Sequence, residues 1–328
     1  MRMIFMGTAP FACPTLRTLL ASPHQIMAVV TQPDRPRGRG QQAVASAVKA
    51  LALAHHLTIL QPASLRPAAV VGALAALQPD IIVVVAYGNL LPPAVLALPS
   101  YGCINLHASL LPKYRGAAPV NWALMHGETV TGYTIMQMDE HLDTGPILWR
   151  EECAITPEED AVSLGTRLAE AGAEGMSKVL TALERGTLTA QPQPESGASY
   201  APKLTRELGR LHWQQPAVTL HNLVRALVPW PGATTGWRDT EVKIWRTRVR
   251  AAPAASPPGT ITAVLPEGLC VACGAEQLLV QELQPASRRR MSAREFVQGY
   301  RAQPGESFDQ DHVATNSAAD SAPDTAHA

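Results

Sequence analysis

Residues 80–86 read Asp-Ile-Ile-Val-Val-Val-Ala, a run in which everything after the aspartate is apolar and mostly β-branched. A strand with no polar position to turn towards water is covered on both faces, and such strands belong to parallel sheets flanked by helices. The flanking sequence repeats the theme. Residues 3–6, 26–31, 58–60 and 103–106 are further short strand candidates, and residues 15–20, 43–55 and 67–77 between them place apolar side chains near the helical period. Pro67 suits a first helical turn. Beyond Gly132, residues 133–138 and 147–153 read as strands and 161–183 as a long helix. The alternation predicts an α/β fold, a Rossmann-like doubly wound parallel sheet.

At 328 residues the chain exceeds what one hydrophobic core usually organises. Gly, Pro, Ser and Gln accumulate over residues 186–202, and the character then changes. One helical stretch near 218–227 precedes short β runs at 242–249, 259–264, 269–272 and 277–283, a pattern suited to a small OB-like β-barrel. The expected organisation is a first domain over 1–190, a linker over 191–206, a barrel over 207–303 and a disordered tail over 304–328, rich in Ala, Ser and Asp.

Composition narrows the classes of function. Hydrophobic residues make up 46% and charged residues 16%, a soluble globular balance. The run at 81–86 falls far short of the ~20 residues a membrane helix requires, and the four apolar residues before Gly7 are too few for a secretory signal. Five cysteines without a dense framework point to free thiols in a reducing cytoplasm, and the single Cys270-x-x-Cys273 lacks a second ligand pair, so no metal is expected. The zero net charge conceals an uneven distribution. Lys and Arg number 13 against 15 Asp and Glu over residues 1–202, 14 against 7 over 203–301, and 0 against 5 over 302–328. A basic second half fits either a polyanionic partner or a solvated surface.

Asn105 and His107 stand two apart in a strand candidate, so both side chains leave the same face, and Asp143 follows in a Leu-Asp-Thr-Gly turn. An amide and an imidazole aimed at one carbonyl, with a carboxylate to hold the imidazole, make a catalytic set. Taken singly, the same residues also serve as turn formers and satisfied structural side chains. No Gly-x-Gly-x-x-Gly follows the first strand, where Gly7-Thr8-Ala9-Pro10 stands, so a dinucleotide site is not expected. Residues 32–42 (QPDRPRGRGQQ) form a turn-like loop with three arginines, able to reach phosphates or simply to be solvated.

The stretch from Ile104 to Gly116 (INLHASLLPKYRG), with Ala117-Ala118-Pro119 and the Met138 to Gly145 run (MDEHLDTG), resembles the 10-formyltetrahydrofolate-dependent formyltransferases. Gln32-Pro-Asp-Arg-Pro36, Ala86-Tyr-Gly88, Tyr200-Ala-Pro-Lys-Leu204 and Pro229-Trp-Pro-Gly232 resemble the branch whose acceptor is initiator methionyl-tRNA. The likeness spans about residues 3–300. It implies a Rossmann-like catalytic domain, an OB-like C-terminal domain, 10-formyltetrahydrofolate as formyl donor, no metal, no obligate protein partner and a monomer. By the same resemblance Asn105, His107 and Asp143 are the catalytic residues. Ser109, Leu110, Leu111 and Pro112 form the folate-binding turn, and Asn89, Leu90 and Leu91 line the pterin pocket. Residues 34–42 are the loop that grips tRNA, with Arg37 and above all Arg39 as contacts, joined by Lys203 and Arg206. Three departures stand out: the proline of the first turn is shifted by one, Asn89 replaces a common Gln, and His141 replaces a common Gly.

The implied chemistry is acyl transfer. The free α-amine of methionine attacks the formyl carbon, His107 and Asn105 stabilise the oxyanion, and Asp143 takes the amine proton directly or through water. Two rivals use the same scaffold: transfer to a small acceptor such as a sugar-nucleotide amine or water, and an inactive RNA-binding protein.

Overall fold

The computed structural model describes residues 1–37, 42–253 and 255–309. It divides into two compact units. The first holds residues 1–120, 129–157 and 163–203, and the second holds 121–128, 158–162 and the chain from 204 onwards.

The first unit contains strands β1 (Arg2–Gly7), β2 (Gln25–Val30), β3 (Arg35–Arg37), β4 (Gln42–Val44), β5 (Ile59–Leu60), β6 (Ile81–Val85), β7 (Cys103–His107), β8 (Arg115–Gly116), β9 (Val130–Gln137), β10 (Ile147–Ala154) and β11 (Tyr200–Ala201). Its helices are α1 (Cys13–Leu20), α2 (Ala47–Ala54), α3 (Ala68–Ala76) and α4 (Pro93–Leu96); α5 (Pro119–Met125) leads out of it, and α6 (Ala161–Glu184) closes it. The main sheet runs β10-β9-β7-β6-β1-β2-β5, with β5, β2, β1, β6 and β7 parallel. Two antiparallel strands, β9 and β10, extend it beyond β7. All five residues of β6 are buried. Met3, Phe5, Ile81, Val83, Ile104 and Leu106 join one core with α1, α2 and α6, while Ile4, Met6, Ile82, Val84 and Cys103 join another with α3 and α4. The two-faced burial expected of residues 81–86 thus holds for Ile81–Val85, while Ala86 leaves the strand and is exposed.

Helix α6 fixes the position of β7 through a close approach. A Cβ added at Gly172 would lie 2.7 Å from both terminal methyl carbons of Leu106, so the missing side chain lets α6 press on the strand that carries Asn105 and His107. No described helix is long and apolar enough to cross a membrane.

Two stretches differ from their sequence reading for identifiable reasons. The helix expected over 43–55 begins at Ala47, because Ser46 caps it by accepting from Lys49 N at 3.0 Å, and Gln42–Val44 instead pair with Arg35–Arg37 as a two-stranded ribbon. The stretch expected as a linker over 191–206 is built into the first unit up to Lys203: Gln191 bridges Ile147, and β11 pairs with β8.

The second unit holds α7 (Ala217–Ala226), β12 (Ala233–Trp237), β13 (Thr240–Arg250), β14 (Ile261–Leu265), β15 (Gly268–Ala272), β16 (Gln277–Pro285), β17 (Met291–Ser292), α8 (Ala293–Tyr300) and β18 (Phe308–Asp309). The antiparallel order is β14-β15-β16-β13-β12-β18. Its two ends meet. Ile261 N donates to Glu306 O at 2.7 Å and Phe308 N to Gly259 O at 2.9 Å, closing the sheet into a small barrel and removing its open edges. Trp213, Trp237, Phe296 and Phe308 pack inside it, with Phe308 stacked on Trp213 at 5.6 Å between ring centroids. The domain thus continues past residue 303, where a tail was expected, because Phe308 is needed to fill the core; residues 310–328 lie outside the described residues.

A capping box starts α8. Ser292 Oγ accepts from Glu295 N, and the Glu295 carboxylate accepts from Ser292 N at 2.8 Å and pairs with Arg289. The Ser292 backbone N–H, then Arg289, holds the Glu295 carboxyl down at about 2, against an ordinary value of 4.5. A depressed carboxyl stabilises the fold above its unfolded value and ceases to as pH falls through its folded value. Between about pH 4.5 and 2 the stability of the native chain is therefore expected to fall more steeply than that of Glu295→Gln, measured by urea denaturation across that range.

Candidate active site

Strand β7 ends at His107, and its alternation sends Ile104 and Leu106 into the α1/α2/α6 core, leaving Asn105 and His107 on the opposite face. His107 is 6% exposed and Asp143 9% exposed, so both are nearly withdrawn from water. His107 Nε2 lies 2.9 Å from the Tyr114 carbonyl oxygen, and its Nδ1 lies 3.6 Å from Asp143 Oδ2. The carbonyl accepts only, so Nε2 carries a hydrogen and the ring presents Nδ1 to Asp143. The 3.6 Å separation exceeds a direct hydrogen bond, so the imidazole and the carboxylate face each other without touching.

Asp143 lies in the connection between β9 and β10 with φ of +56°. Its Oδ2 accepts from Gly116 N at 2.8 Å, which fixes the carboxylate. His141 lies outside the left-handed region, whereas Asp143 lies within it, a conformation Asp tolerates better than most residues. Gln193 Nε2 donates to the carbonyls of Asp143 and Gly145 at 2.9 and 2.8 Å. Gln193 Oε1 accepts from Arg115 Nε and Nη2 at 3.2 and 3.0 Å.

Asn105 differs from its neighbours. Its side-chain amide has no hydrogen-bond partner among the described residues, although the residue is half-buried.

The turn Ser109-Leu110-Leu111-Pro112 follows β7 directly. Thr134 Oγ1 donates to Ser109 O at 2.7 Å and accepts from Leu111 N at 3.1 Å, and Ser109 Oγ donates to Lys113 O at 2.6 Å. Arg150 Nη1 donates to Leu111 O at 3.1 Å, and the Leu111–Pro112 peptide is cis. Asn89, Leu90 and Leu91 follow β6, the strand beside β7. Both loops leave the C-terminal ends of parallel strands, where α/β sheets hold their ligands. Leu91 and Leu111 are buried, whereas Leu90 is 59% and Leu142 43% exposed.

The basic loop is only partly described. Arg37 ends strand β3 of the ribbon, and Arg39 lies outside the described residues. At the foot of the ribbon Asp34 binds Lys49 Nζ at 2.5 Å and Gln61 Nε2 at 2.8 Å, and these contacts, Lys49 first, hold its carboxyl below the ordinary range. Lys203 and Arg206 are both exposed.

Residues 1–180 match the family described as formyl transferase, and residues 203–301 match the formyl transferase C-terminal domain. A methionyl-tRNA formyltransferase of Trichlorobacter lovleyi is 48% identical over 299 residues, covering 91% of this chain and 94% of that protein. The chain belongs to the methionyl-tRNA formyltransferase family. A second relative of that name, from Geobacter metallireducens, is 48% identical over 92% of this chain and 96% of its own length. Solved structures share the fold at low identity. The sugar 3N-formyl transferase WlaRD, crystallised in the presence of dTDP and 5-N-formyl-THF, has a TM-score of 0.65 at 15% identity, covering 88% of this chain and 99% of that one. HypX from Aquifex aeolicus in complex with tetrahydrofolic acid has a TM-score of 0.64 at 18% identity, covering 93% of this chain and 48% of that one.

Within the family fold, Gln193 and Ser199 are site-building residues that sequence reasoning passed over. Ser199 Oγ accepts from Tyr114 N at 2.8 Å and so helps fix the carbonyl that orients His107. Both lie in a Gly-, Pro- and Ser-rich stretch whose composition signals a boundary. Only the Tyr200-Ala-Pro-Lys-Leu204 likeness marked it as more than a spacer.

Proposed function

We propose that this protein transfers the formyl group of 10-formyltetrahydrofolate to the free amino group of methionine on initiator methionyl-tRNA, in the cytoplasm. The observation that carries this reading is 48% identity, across more than nine-tenths of both chains, to relatives that bear the name methionyl-tRNA formyltransferase. The Asn105, His107 and Asp143 arrangement supplies a matching chemistry.

In that chemistry the amine lone pair attacks the formyl carbon and the carbonyl electrons move onto oxygen. Asn105, whose amide is uncommitted, donates to that oxygen. His107 Nε2 is tied to Tyr114 O, so His107 reaches the reacting atoms only from Nδ1, the nitrogen beside Asp143. The amine proton passes to Asp143, directly or through water, with His107 Nδ1 3.6 Å from the carboxylate that receives it. Collapse of the tetrahedral adduct breaks its bond to N10 of the folate, which leaves with a proton. No metal takes part. The turn from Ser109 to Pro112, with Asn89, Leu90 and Leu91, supplies backbone polar groups and apolar walls for the pterin.

The acceptor is a polyanion, and Arg37, Arg39, Lys203 and Arg206 are its proposed contacts. An Arg37→Ala, Arg39→Ala double variant is expected to raise KM for the tRNA about 10-fold with KM for the folate unchanged, and to flatten the dependence of tRNA affinity on salt. An unchanged salt slope removes the loop from tRNA binding. The reading as a whole is tested by transfer of labelled formyl from the folate to methionyl-tRNA. Label that reaches a sugar-nucleotide amine or water but not the charged tRNA overturns it.

A further inference from the structure

The geometry points to Gln193, itself oriented by Arg115, as the positioning residue that holds the Asp143 turn with its carboxylate aimed at His107. The inference rests on the reading of Asp143 as part of the catalytic set.

The side-chain amide of Gln193 is used at every position. Its two N–H groups go to the carbonyls of Asp143 and Gly145, either side of Thr144, and its oxygen takes two N–H groups from the Arg115 guanidinium. Arginine only donates and a carbonyl only accepts, so the amide has one orientation. The reverse placement would set oxygen against two oxygens and NH2 against a guanidinium.

Arg115 is the middle of three consecutive residues that each hold one part of the site. Tyr114 O takes His107 Nε2 at 2.9 Å, Arg115 locks Gln193, and Gly116 N donates to Asp143 Oδ2 at 2.8 Å. The imidazole and the carboxylate are thereby referenced to one short piece of backbone, which itself pairs with β11. The Asp143 backbone at φ of +56° is a conformation the surroundings have to impose, and the two Gln193 bonds flank the residue that follows it. Gln193 touches no reacting atom in this scheme; it acts through Asp143.

A single-turnover double-variant cycle decides the matter, using the full chain, 10-formyltetrahydrofolate and charged initiator tRNA. Gln193→Glu keeps the size and the Arg115 pair but turns an oxygen towards the two carbonyls. It is expected to lower the transfer rate about 10- to 100-fold, as losing a partner that orients a metal ligand does, with KM for both substrates within about threefold. Gln193→Ala placed on Asp143→Ala is expected to cost less than twofold beyond Asp143→Ala alone, because a clamp on an absent carboxylate has nothing left to position. Losses that multiply in the double variant, a Gln193→Glu rate within twofold of wild type, or an effect confined to KM overturns the clamp. Wild-type turnover by Asp143→Ala removes the carboxylate from the chemistry, and the clamp with it. Where the Ala variants melt early, Gln193→Glu with Asp143→Asn completes the same cycle.

Discussion

Truncation of Asn105 to Ala is expected to lower kcat for formyl transfer by ~10²–10³, about 3–4 kcal/mol of transition-state stabilisation. KM for folate and tRNA is expected to stay within a few-fold and the melting temperature to stay at its native value. The asymmetry follows from the bonding of the free site. The Asn105 amide has no partner among the described residues, so its removal breaks no hydrogen bond among them, and the loss is expected to fall on the transition state. His107→Ala is a less clean experiment, because it also strips the Tyr114 carbonyl of its donor in a buried setting. Asn105→Asp provides the sharper control: an acceptor of the same size in place of the donor repels a developing oxyanion and should be at least as damaging as Ala. Steady-state kinetics with separate titration of both substrates gives the split. A loss that falls on KM, with kcat intact, makes Asn105 a ground-state contact and removes it from the oxyanion role.

How much of this was legible beforehand depended on the range of the interaction. The parallel sheet followed from residues 81–86 alone, because a strand apolar at every position has to be covered on both faces, and β6 is. The shared face of Asn105 and His107 followed from the period of a strand. Asp143 joined the set as the carboxylate of the Leu-Asp-Thr-Gly turn and again by family resemblance, but nothing in a turn 36 residues further on dictates that its carboxylate reaches β7. Gln193 was invisible for a physical reason. It acts through its amide on main-chain carbonyls 50 and 48 residues away, so neither partner leaves a side-chain pattern, and its own surroundings carry the composition of a spacer. Phe308 was lost in the same way: one buried ring closes the barrel from within a stretch that is otherwise polar, and composition averages it away. Interactions local in sequence set the elements, while those that orient the site are long-range and run through backbone atoms.

The same reasoning gives Gly145 a role that its place in the Leu-Asp-Thr-Gly turn only hints at. A Cβ at Gly145 would overlap the carbonyl oxygen of Gln137, a backbone atom with no freedom to swing aside. Gln137 is the last residue of β9, paired with Ile104 on β7, and its N–H donates to Pro146 O at 2.9 Å, so the two backbones are tied where the clash falls. Either β9 shifts against the strand carrying Asn105 and His107, or the turn from Asp143 to Pro146 lifts away. The second costs less and breaks both Gln193 bonds, since their acceptors are the carbonyls of Asp143 and Gly145 themselves. Gly145→Ala is therefore expected to lower the melting temperature, by an amount matching about 1–3 kcal/mol of overpacking, and to cut kcat by at least ~10², the scale set by an ångström of misplacement in a catalytic group. Asp143→Asn separates the two effects, since it removes the charge while keeping an acceptor for Gly116 N and a residue that tolerates φ of +56°, and it should lose comparable activity at nearly native stability. Calorimetry and single-turnover transfer on both variants test the pair. Native stability in Gly145→Ala refutes the close approach, and native activity in a destabilised Gly145→Ala shows that the carboxylate keeps its place without the turn.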